Sequence, residues 1–529
     1  MMNRLDAYQT AYCLWKTGKL AEAERGLREM WQRSGARSLR EALLLAYVLR
    51  DGKRYVSQAD WLRQLLAEFA ASPEKNFLAE AWRLLGGALR RLGAAQEAVE
   101  AFLQSIALEP DPEQKLVECS NAIFAANAVS GDSCELFHKL YAKYQELLDA
   151  LHVVSYPKPS WHHEKIRVGY LSADLRDHAV AQFVQPLFQQ YDANRFEVYV
   201  YSLVPQPDSV TEALRQSPVI WRDVAHIASF GALAERIRAD EIDILFDLGG
   251  HSSRNVLPVF AWRAARVQIS GIGYFNSTGI RQTDGFLTDA YCSPEALSPY
   301  FVEPLLRLPH SHFCYAPFSR FPDIGALAAD RQGHITFGCF NNFAKVTDEM
   351  LRLWARILQA VPGSHLLLKH ELFDSVEGRA YTVKRMQSCG VPVERVEMRG
   401  LSRDYLAQYR DMDIALDTSP YPGGLTTCEA LCMGVPVVTL TGGRHGARFG
   451  YSFLSNLGMP ELAAATPEAY IALAVQLAGD RELLHVLHQQ LRPVMLRSPI
   501  MNGAAYMRDL EGIYMEQLHQ AEKTGGSWA

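Results

Sequence analysis

The sequence has no excess of positive charge, no metal-type cysteine spacing and no long apolar run, and each absence closes off a class of function. Lys and Arg number 53 against 59 Asp and Glu, a net charge of −6, so it carries no basic footprint for nucleic acid. The nine cysteines are an odd number without a CxxC pair, and Cys428 and Cys432 are the closest two. That usage points away from zinc ribbons and disulfide scaffolds, and toward reduced thiols in a cytoplasm. No stretch of about 20 apolar residues is available to span a bilayer. The opening Met-Met-Asn-Arg-Leu-Asp-Ala-Tyr lacks the apolar core of a signal peptide. What is there is the balance of a folded globular chain: 48% hydrophobic and 21% charged over 529 residues. That length supports three or four domains whose cores need neither disulfides nor metals.

Four parts and a linker are expected along the chain. Residues 1–151 read as helices only, with apolar residues at helical spacing in Leu14 to Trp31, Leu39 to Leu49, Ala59 to Ala70 and Phe77 to Leu92. From Ala79, the residues Trp82, Leu85, Gly86, Leu89, Gly93, Ala98, Phe102, Ile106 and Pro110 fit the tetratricopeptide pattern of about 34 residues. A weaker copy starts near Arg4, with Gly18, Ala23 and Leu27 in register, so about three repeats are predicted. Residues 152–165 hold two prolines and no apolar period, which predicts a linker.

Short β-rich runs then alternate with helices. Ile166–Ser172, Phe196–Leu203, Asp243–Leu248 and Arg266–Gly271 are predicted as buried parallel strands. His334–Phe340, His365–Lys369, Arg395–Met398, Asp413–Asp417 and Pro436–Leu440 form a second set. Two such series imply two doubly wound, Rossmann-like domains, at 166–328 and 329–492, with a helical tail at 493–529.

The most informative segment is Asp417-Thr-Ser-Pro-Tyr-Pro-Gly-Gly-Leu-Thr-Thr-Cys-Glu-Ala-Leu-Cys-Met-Gly434. A strand ends at Asp417, a Pro/Gly loop follows, and Thr426 and Thr427 open a short helix. Free amides and the dipole at a helix N-terminus attract an anion, and the two hydroxyls add donors for phosphate oxygens. Glu429 can accept from ribose hydroxyls. Taken alone, the segment is equally well explained as a strand–loop–helix connection with a threonine N-cap.

The same segment resembles the donor-binding loop of the O-linked N-acetylglucosamine transferase family, the glycosyltransferase family 41 type. The resemblance runs from about Ile166 to Gln517 and includes Val168-Gly-Tyr-Leu-Ser-Ala-Asp-Leu-Arg-Asp-His178, Asp247-Leu-Gly-Gly-His251, Gly273-Tyr-Phe-Asn-Ser-Thr-Gly279 and Phe340-Asn-Asn-Phe-Ala-Lys345. Thr288-Asp289, Ser293-Pro294 and Leu308-Pro309 follow in the family's order. The family implies a GT-B fold with the nucleotide of a UDP-linked sugar donor held by the C-terminal half. It also implies inverting transfer without a metal or other cofactor.

On that basis Lys345 is the expected cation for the leaving diphosphate, and His178 a candidate base. Asn342, Gly400, Leu401, Ser402, Tyr405, Gly424, Leu425, Thr426, Thr427 and Glu429 fall on the donor side. His251, Asn276, Ser277 and Thr278 fall on the acceptor and sugar side. The family's histidine before the paired threonines is missing here, where Gly424 or Leu425 stands. Asp411-Met-Asp413 has the spacing of a metal-binding DxD, but it starts a strand rather than ending one and reads as structural.

The expected activity is transfer of N-acetylglucosamine or a related hexose to Ser or Thr of a polypeptide bound in part by the repeats, with no nucleic acid and no membrane span involved. Transfer to Asn, a non-protein glycosyltransferase, a sugar-nucleotide epimerase on the same fold and a decayed repeat scaffold stay open as alternatives.

Overall fold

The computed structural model describes residues 4–33, 38–131, 133–157, 159 and 161–523. The first three residues of the repeat domain, its residues 34–37 and 132, Lys158 and Ser160 of the linker, and the tail's last six residues lie outside the described residues.

The helical part consists of α1 (Arg4–Lys16), α2 (Leu20–Arg33), α3 (Leu39–Asp51), α4 (Tyr55–Glu68), α5 (Lys75–Arg91), α6 (Ala95–Leu108), α7 (Pro112–Ala126) and α8 (Cys134–Asp149). The apolar run predicted from Leu14 to Trp31 is broken at Gly18, whose φ of +78° turns the chain between α1 and α2. In the strongest repeat, a side chain at Gly86 would stand 2.8 Å from the Phe102 ring, which is why α5 and α6 approach so closely there. Asp111 starts α7 by accepting from the Glu113 amide, with Pro112 at the first helical position.

The strands are β1 (Ile166–Ser172), β2 (Phe196–Ser202), β3 (Ile220–Asp223), β4 (Ile244–Asp247), β5 (Val267–Gly271), β6 (Gly285–Asp289) and β7 (Leu305–Leu308). A second series follows with β8 (Thr336–Cys339), β9 (His365–Lys369), β10 (Val396–Arg399), β11 (Ile414–Leu416), β12 (Val437–Leu440) and β13 (Ala463–Ala464). Between the first strands run α9 (Ala181–Gln189), α10 (Ser209–Arg215) and α11 (Phe230–Ala239). The second series carries α12 (Ala328–Gln332), α13 (Asp348–Ala360), α14 (Val376–Ser388), α15 (Leu425–Cys432), α16 (Phe449–Asn456) and α17 (Pro467–Gly479). The chain ends with α18 (Arg481–Arg497) and α19 (Gly503–Lys523).

These elements divide into two compact units that do not follow the four-part sequence reading. The first holds residues 1–130, 340–359 and 365–403. In it the repeats dock on the segment carrying α14. Arg54 pairs with Glu377 at 2.7 Å and with Glu24 at 3.0 Å, and Lys53 pairs with Glu371 at 2.9 Å. Strands β9 and β10 pair in parallel.

The second unit holds residues 131–339, 360–364 and 404–529. Helix α8, which the sequence groups with the repeats, belongs here. Its Gln145 accepts from the Arg281 amide at 2.9 Å, and its Asp149 pairs with the Arg281 side chain at 2.9 Å. The first sheet is wholly parallel in the order β3-β2-β1-β4-β5-β6-β7, with Ile244, Leu245 and Phe246 of β4 fully buried. Strands β8, β11, β12 and β13 are parallel neighbours in that order. Residue 492, the sequence boundary of the last domain, lies inside α18. Helix α19 returns to the first sheet, where the Tyr514 and Tyr170 hydroxyls meet at 3.0 Å. Among the described residues no helix is long and apolar enough to cross a membrane.

Candidate active site

A doubly wound sheet offers a ligand crevice where neighbouring strands send their chains to opposite sides, beyond their carboxyl ends. In the first sheet that point lies between β1 and β4, and the loops leaving it carry His178 and His251. In the second series β8 pairs with β11, and the chain leaves these strands toward Lys345 and toward Asp417 respectively. The loops with His178 and His251 therefore leave the first sheet at its switch point, and the loop with Asp417 follows the carboxyl end of β11.

Within the second unit, Asp417 builds the loop before α15. Its carboxylate is buried and accepts from the Thr418 amide at 2.9 Å, the Gly423 amide at 2.7 Å and the Thr439 hydroxyl at 2.8 Å. The helix begins at Leu425, one residue earlier than expected, with Gly424 as its N-cap. Gly424 brings no side-chain cap, and a side chain there would meet no atom within 4 Å. Thr426 stands half-buried at this helix start and Thr427 is buried at 3% exposure.

Glu429 departs from expectation. Sequence leaves it open to ribose hydroxyls, but the fold buries it at 3% exposure, and both oxygens are taken. Tyr405 donates to one, and Tyr409 donates to the other at 3.1 Å. Burial pushes its pKa from 4.5 up to about 7, against the lowering effect of the two hydroxyls. Its folded pKa lies above its unfolded one, so folding favours the protonated form. That contribution is complete below about pH 4.5 and is lost as pH rises through about 7, a swing of about 3 kcal/mol. Glu429→Gln should therefore gain thermal stability relative to the native chain at pH 8 compared with pH 5. Parallel melting curves at both pH values would contradict burial as the cause.

Tyr405 has its pKa raised by burial first, then by Glu429, with a further push from the Asp177 carboxylate, so the loop after β1 lies within reach of that tyrosine. On the sugar side, the Phe275 ring sits 4.3 Å from Tyr421 of the loop before α15. His178 itself is about one-third exposed. Its Nδ1 accepts from the Val180 amide at 3.3 Å and lies 3.7 Å from Asp174. Burial lowers its pKa despite the opposing charge of Asp174, so the ring is neutral near pH 7.

All four acceptor-side residues expected from sequence are buried. His251 is 1% exposed, its Nε2 bonds the Thr278 carbonyl at 2.8 Å, and Tyr144 and Tyr274 meet it edge-on. Burial pushes its pKa down to about 4. Ser277 and Thr278 are fully buried and anchored by Glu303, which accepts from the Ser277 hydroxyl and, at 2.7 Å, from the Thr278 amide. Asn276 is 2% exposed and accepts from the Ser277 amide at 3.0 Å. Their side chains are held inside the fold by these bonds rather than open to solvent. Asp413 is buried at the start of β11, accepting from the amides of Ala329 at 2.7 Å and Thr336 at 2.8 Å, while Asp411 pairs with Arg331. Asp289, Cys292 and His312 stand close enough to share a metal, but Asp289 already accepts from His312, Ser452 and nearby amides, and burial keeps the Cys292 thiol protonated. That group reads as a structural knot.

Within the first unit, Lys345 ends a 3-10 turn, Phe343–Lys345, and is half-buried. Asn342 is exposed and caps that turn, accepting from the Ala344 amide at 3.0 Å. Gly400 and Ser402 are tied by Lys369, a buried lysine that donates to the Gly400 carbonyl at 2.6 Å and the Ser402 hydroxyl at 2.9 Å. Leu401 is 60% exposed. Lys369 was not singled out from sequence; its signal is a lysine closing the otherwise apolar run of β9. Tyr409 gives no such local signal, because its role depends on Glu429, 20 residues further along the chain.

Two Rossmann-like parallel-sheet domains behind helical repeats, with a glycine-capped helix and paired threonines after a strand end, define the GT-B glycosyltransferase class. The sequence model of glycosyl transferase family 41 matches residues 145–328 and 326–510, and the chain belongs to that family. It is 37% identical over 392 residues to the Solanum lycopersicum protein named probable UDP-N-acetylglucosamine–peptide N-acetylglucosaminyltransferase SPINDLY, across 72% of this chain and 40% of that protein. It is 27% identical over 370 residues to the Arabidopsis thaliana protein of the same description named SEC, across 67% of this chain and 37% of that one. The chain thus spans about 40% of the length of the first of these curated relatives. A solved structure of Thermobaculum terrenum O-GlcNAc transferase, a variant with one lysine replaced by methionine, superposes with a TM-score of 0.85 at 30% identity, over 99% of this chain and 98% of that one.

Proposed function

We propose that the chain moves N-acetylglucosamine or a related hexose from a UDP-sugar onto Ser or Thr of a polypeptide, with inversion and without a divalent metal. The likeness to the Thermobaculum terrenum O-GlcNAc transferase across nearly the whole length of both chains carries this reading. The names of the curated relatives supply the donor and the peptide acceptor.

The acceptor hydroxyl attacks the anomeric carbon as the bond to the diphosphate breaks. The hydroxyl proton leaves to His178 or to water, and the diphosphate departs with added negative charge. Lys345 and the amide end of α15, with Thr426 and Thr427, are the groups assigned to that charge. The repeats take part of the acceptor, since helix-pair arrays present extended binding surfaces. Free thiols at all nine cysteines suit a reducing compartment, and we place the protein in the cytoplasm.

The test is consumption of a panel of nucleotide sugars by the purified chain in excess EDTA. Turnover of a UDP-sugar undiminished by chelation is expected. Loss on chelation with recovery on adding manganese would return Asp411 and Asp413 to consideration and end the metal-free mechanism.

A further inference from the structure

Helix α14 grips the segment that carries Lys345. Arg385, near its end, donates through Nε to Asp348 at 2.6 Å and through Nη2 to the Val346 carbonyl at 2.5 Å. Its guanidinium also lies over the Phe343 ring, 5.7 Å from the centroid. One side chain therefore holds residues on both sides of Lys345, two positions before it and one and three after.

The remaining nitrogen, Nη1, is buried without a hydrogen-bond partner and faces the turn between α5 and α6. A side chain at Gly93 in that turn would come within 3.0 Å of it. One helical turn earlier on α14, the Tyr381 hydroxyl donates to the Leu92 carbonyl at 3.1 Å in the same turn. Arg385 is thus held between the phosphate-lysine segment and a turn of the helical repeats.

We propose that Arg385 is a positioning residue for Lys345, and that the Leu92–Gly93 turn of the repeats holds Arg385 in place. The proposal rests on the role assigned to Lys345 above. It gives the repeats a second task besides acceptor binding: they support the cation that stabilises the leaving group. Arginine is required because one planar fork reaches the carboxylate and the carbonyl together, which a lysine ammonium on a flexible stem does not. A small displacement of a charge-stabilising group costs turnover more than binding.

The test measures kcat and KM for UDP-N-acetylglucosamine, with thermal melting, on Lys345→Ala, Arg385→Met, Arg385→Lys and the Lys345→Ala/Arg385→Met double variant. Arg385→Met is expected to lower kcat by about 10-fold or more with donor KM within a few-fold, and Arg385→Lys to recover part. The double variant is expected to be no slower than Lys345→Ala alone, because Arg385 acts only through that lysine. If Arg385→Met does not fold, the kcat-against-KM split of Arg385→Lys decides.

Gly93→Ala is compared with Gly18→Ala. The two glycines share a φ near +80°, but a side chain at Gly18 would meet no atom within 4 Å. Only Gly93→Ala should lower kcat, at a similar loss of melting temperature. Equal effects at the two glycines overturn the part assigned to the repeats. Losses that multiply in the double variant overturn the Arg385 proposal while leaving the Lys345 reading intact. An unimpaired Lys345→Ala overturns both.

Discussion

Lys345→Ala is expected to lose at least about 10²-fold in turnover, the cost of about 3 kcal/mol of lost transition-state stabilisation. As the sugar leaves, negative charge grows on the diphosphate, and a cation fixed in advance lowers the barrier without reorganising. Lys345 is the residue proposed for this role: it is half-buried, it ends a short turn capped by Asn342, and the chain reaches it from the carboxyl end of β8. Lys345→Arg should keep part of the rate, since the charge remains while its geometry changes. The loss should appear in kcat. A variant that changes only the donor KM would make Lys345 a ground-state contact and not a stabiliser of the leaving group.

His178→Ala is expected to lower kcat by about 10²-fold with nucleotide affinity little changed. In the resting geometry Nδ1 accepts from the Val180 amide, which places the ring proton on Nε2. To act as a base at Nε2, the ring must carry its proton on Nδ1 instead, toward Asp174 at 3.7 Å. Asp174→Asn should therefore impair turnover less than His178→Ala but in the same direction. Because burial lowers the His178 pKa, its neutral form persists to more acidic pH than an ordinary histidine's. The acid limb of kcat/KM should accordingly fall below the usual histidine range of about 6.5 and vanish in the alanine variant. Equal losses of turnover and nucleotide affinity would assign His178 to phosphate binding, and no loss of either would leave it a structural loop residue.

Much of this fold is legible in the amino-acid order, and the failures have physical causes. Strands β1 and β9 are read to the residue because IRVGYLS and HLLLK are short β-rich segments whose buried apolar residues are bounded by polar ones. Strand β3 escapes notice because IWRD is half-exposed and mixes polar with apolar residues, and β13 because it is two residues long. Strands β6 and β7 stand outside the strand–helix alternation that reveals the others, since no α-helix separates β5, β6 and β7. The repeat pattern correctly marks α5 and α6, but periodicity says which face of a helix is buried and not against what. Helix α8 accordingly reads as one more repeat, although its partners are Arg281 and His251 of the second unit.

The same limit governs the site. Thr426 and Thr427 are placed at a helix start by local glycine and proline chemistry, so their position can be read directly. Glu429 looks available on its helix until Tyr405 and Tyr409 close over it, and His251 looks available until Tyr144 and Tyr274 enclose it. Burial by partners distant in the chain leaves no trace in a local motif.

Peptide modification is the most direct test of the central claim. The purified chain, incubated in EDTA with UDP-N-acetylglucosamine and a library of Ser-, Thr- and Asn-containing peptides, is followed by mass spectrometry with site localisation. The account predicts a sugar mass increment on Ser or Thr that β-elimination releases and that Lys345→Ala largely abolishes. Increments confined to Asn, or donor consumed with every peptide unchanged, would contradict it.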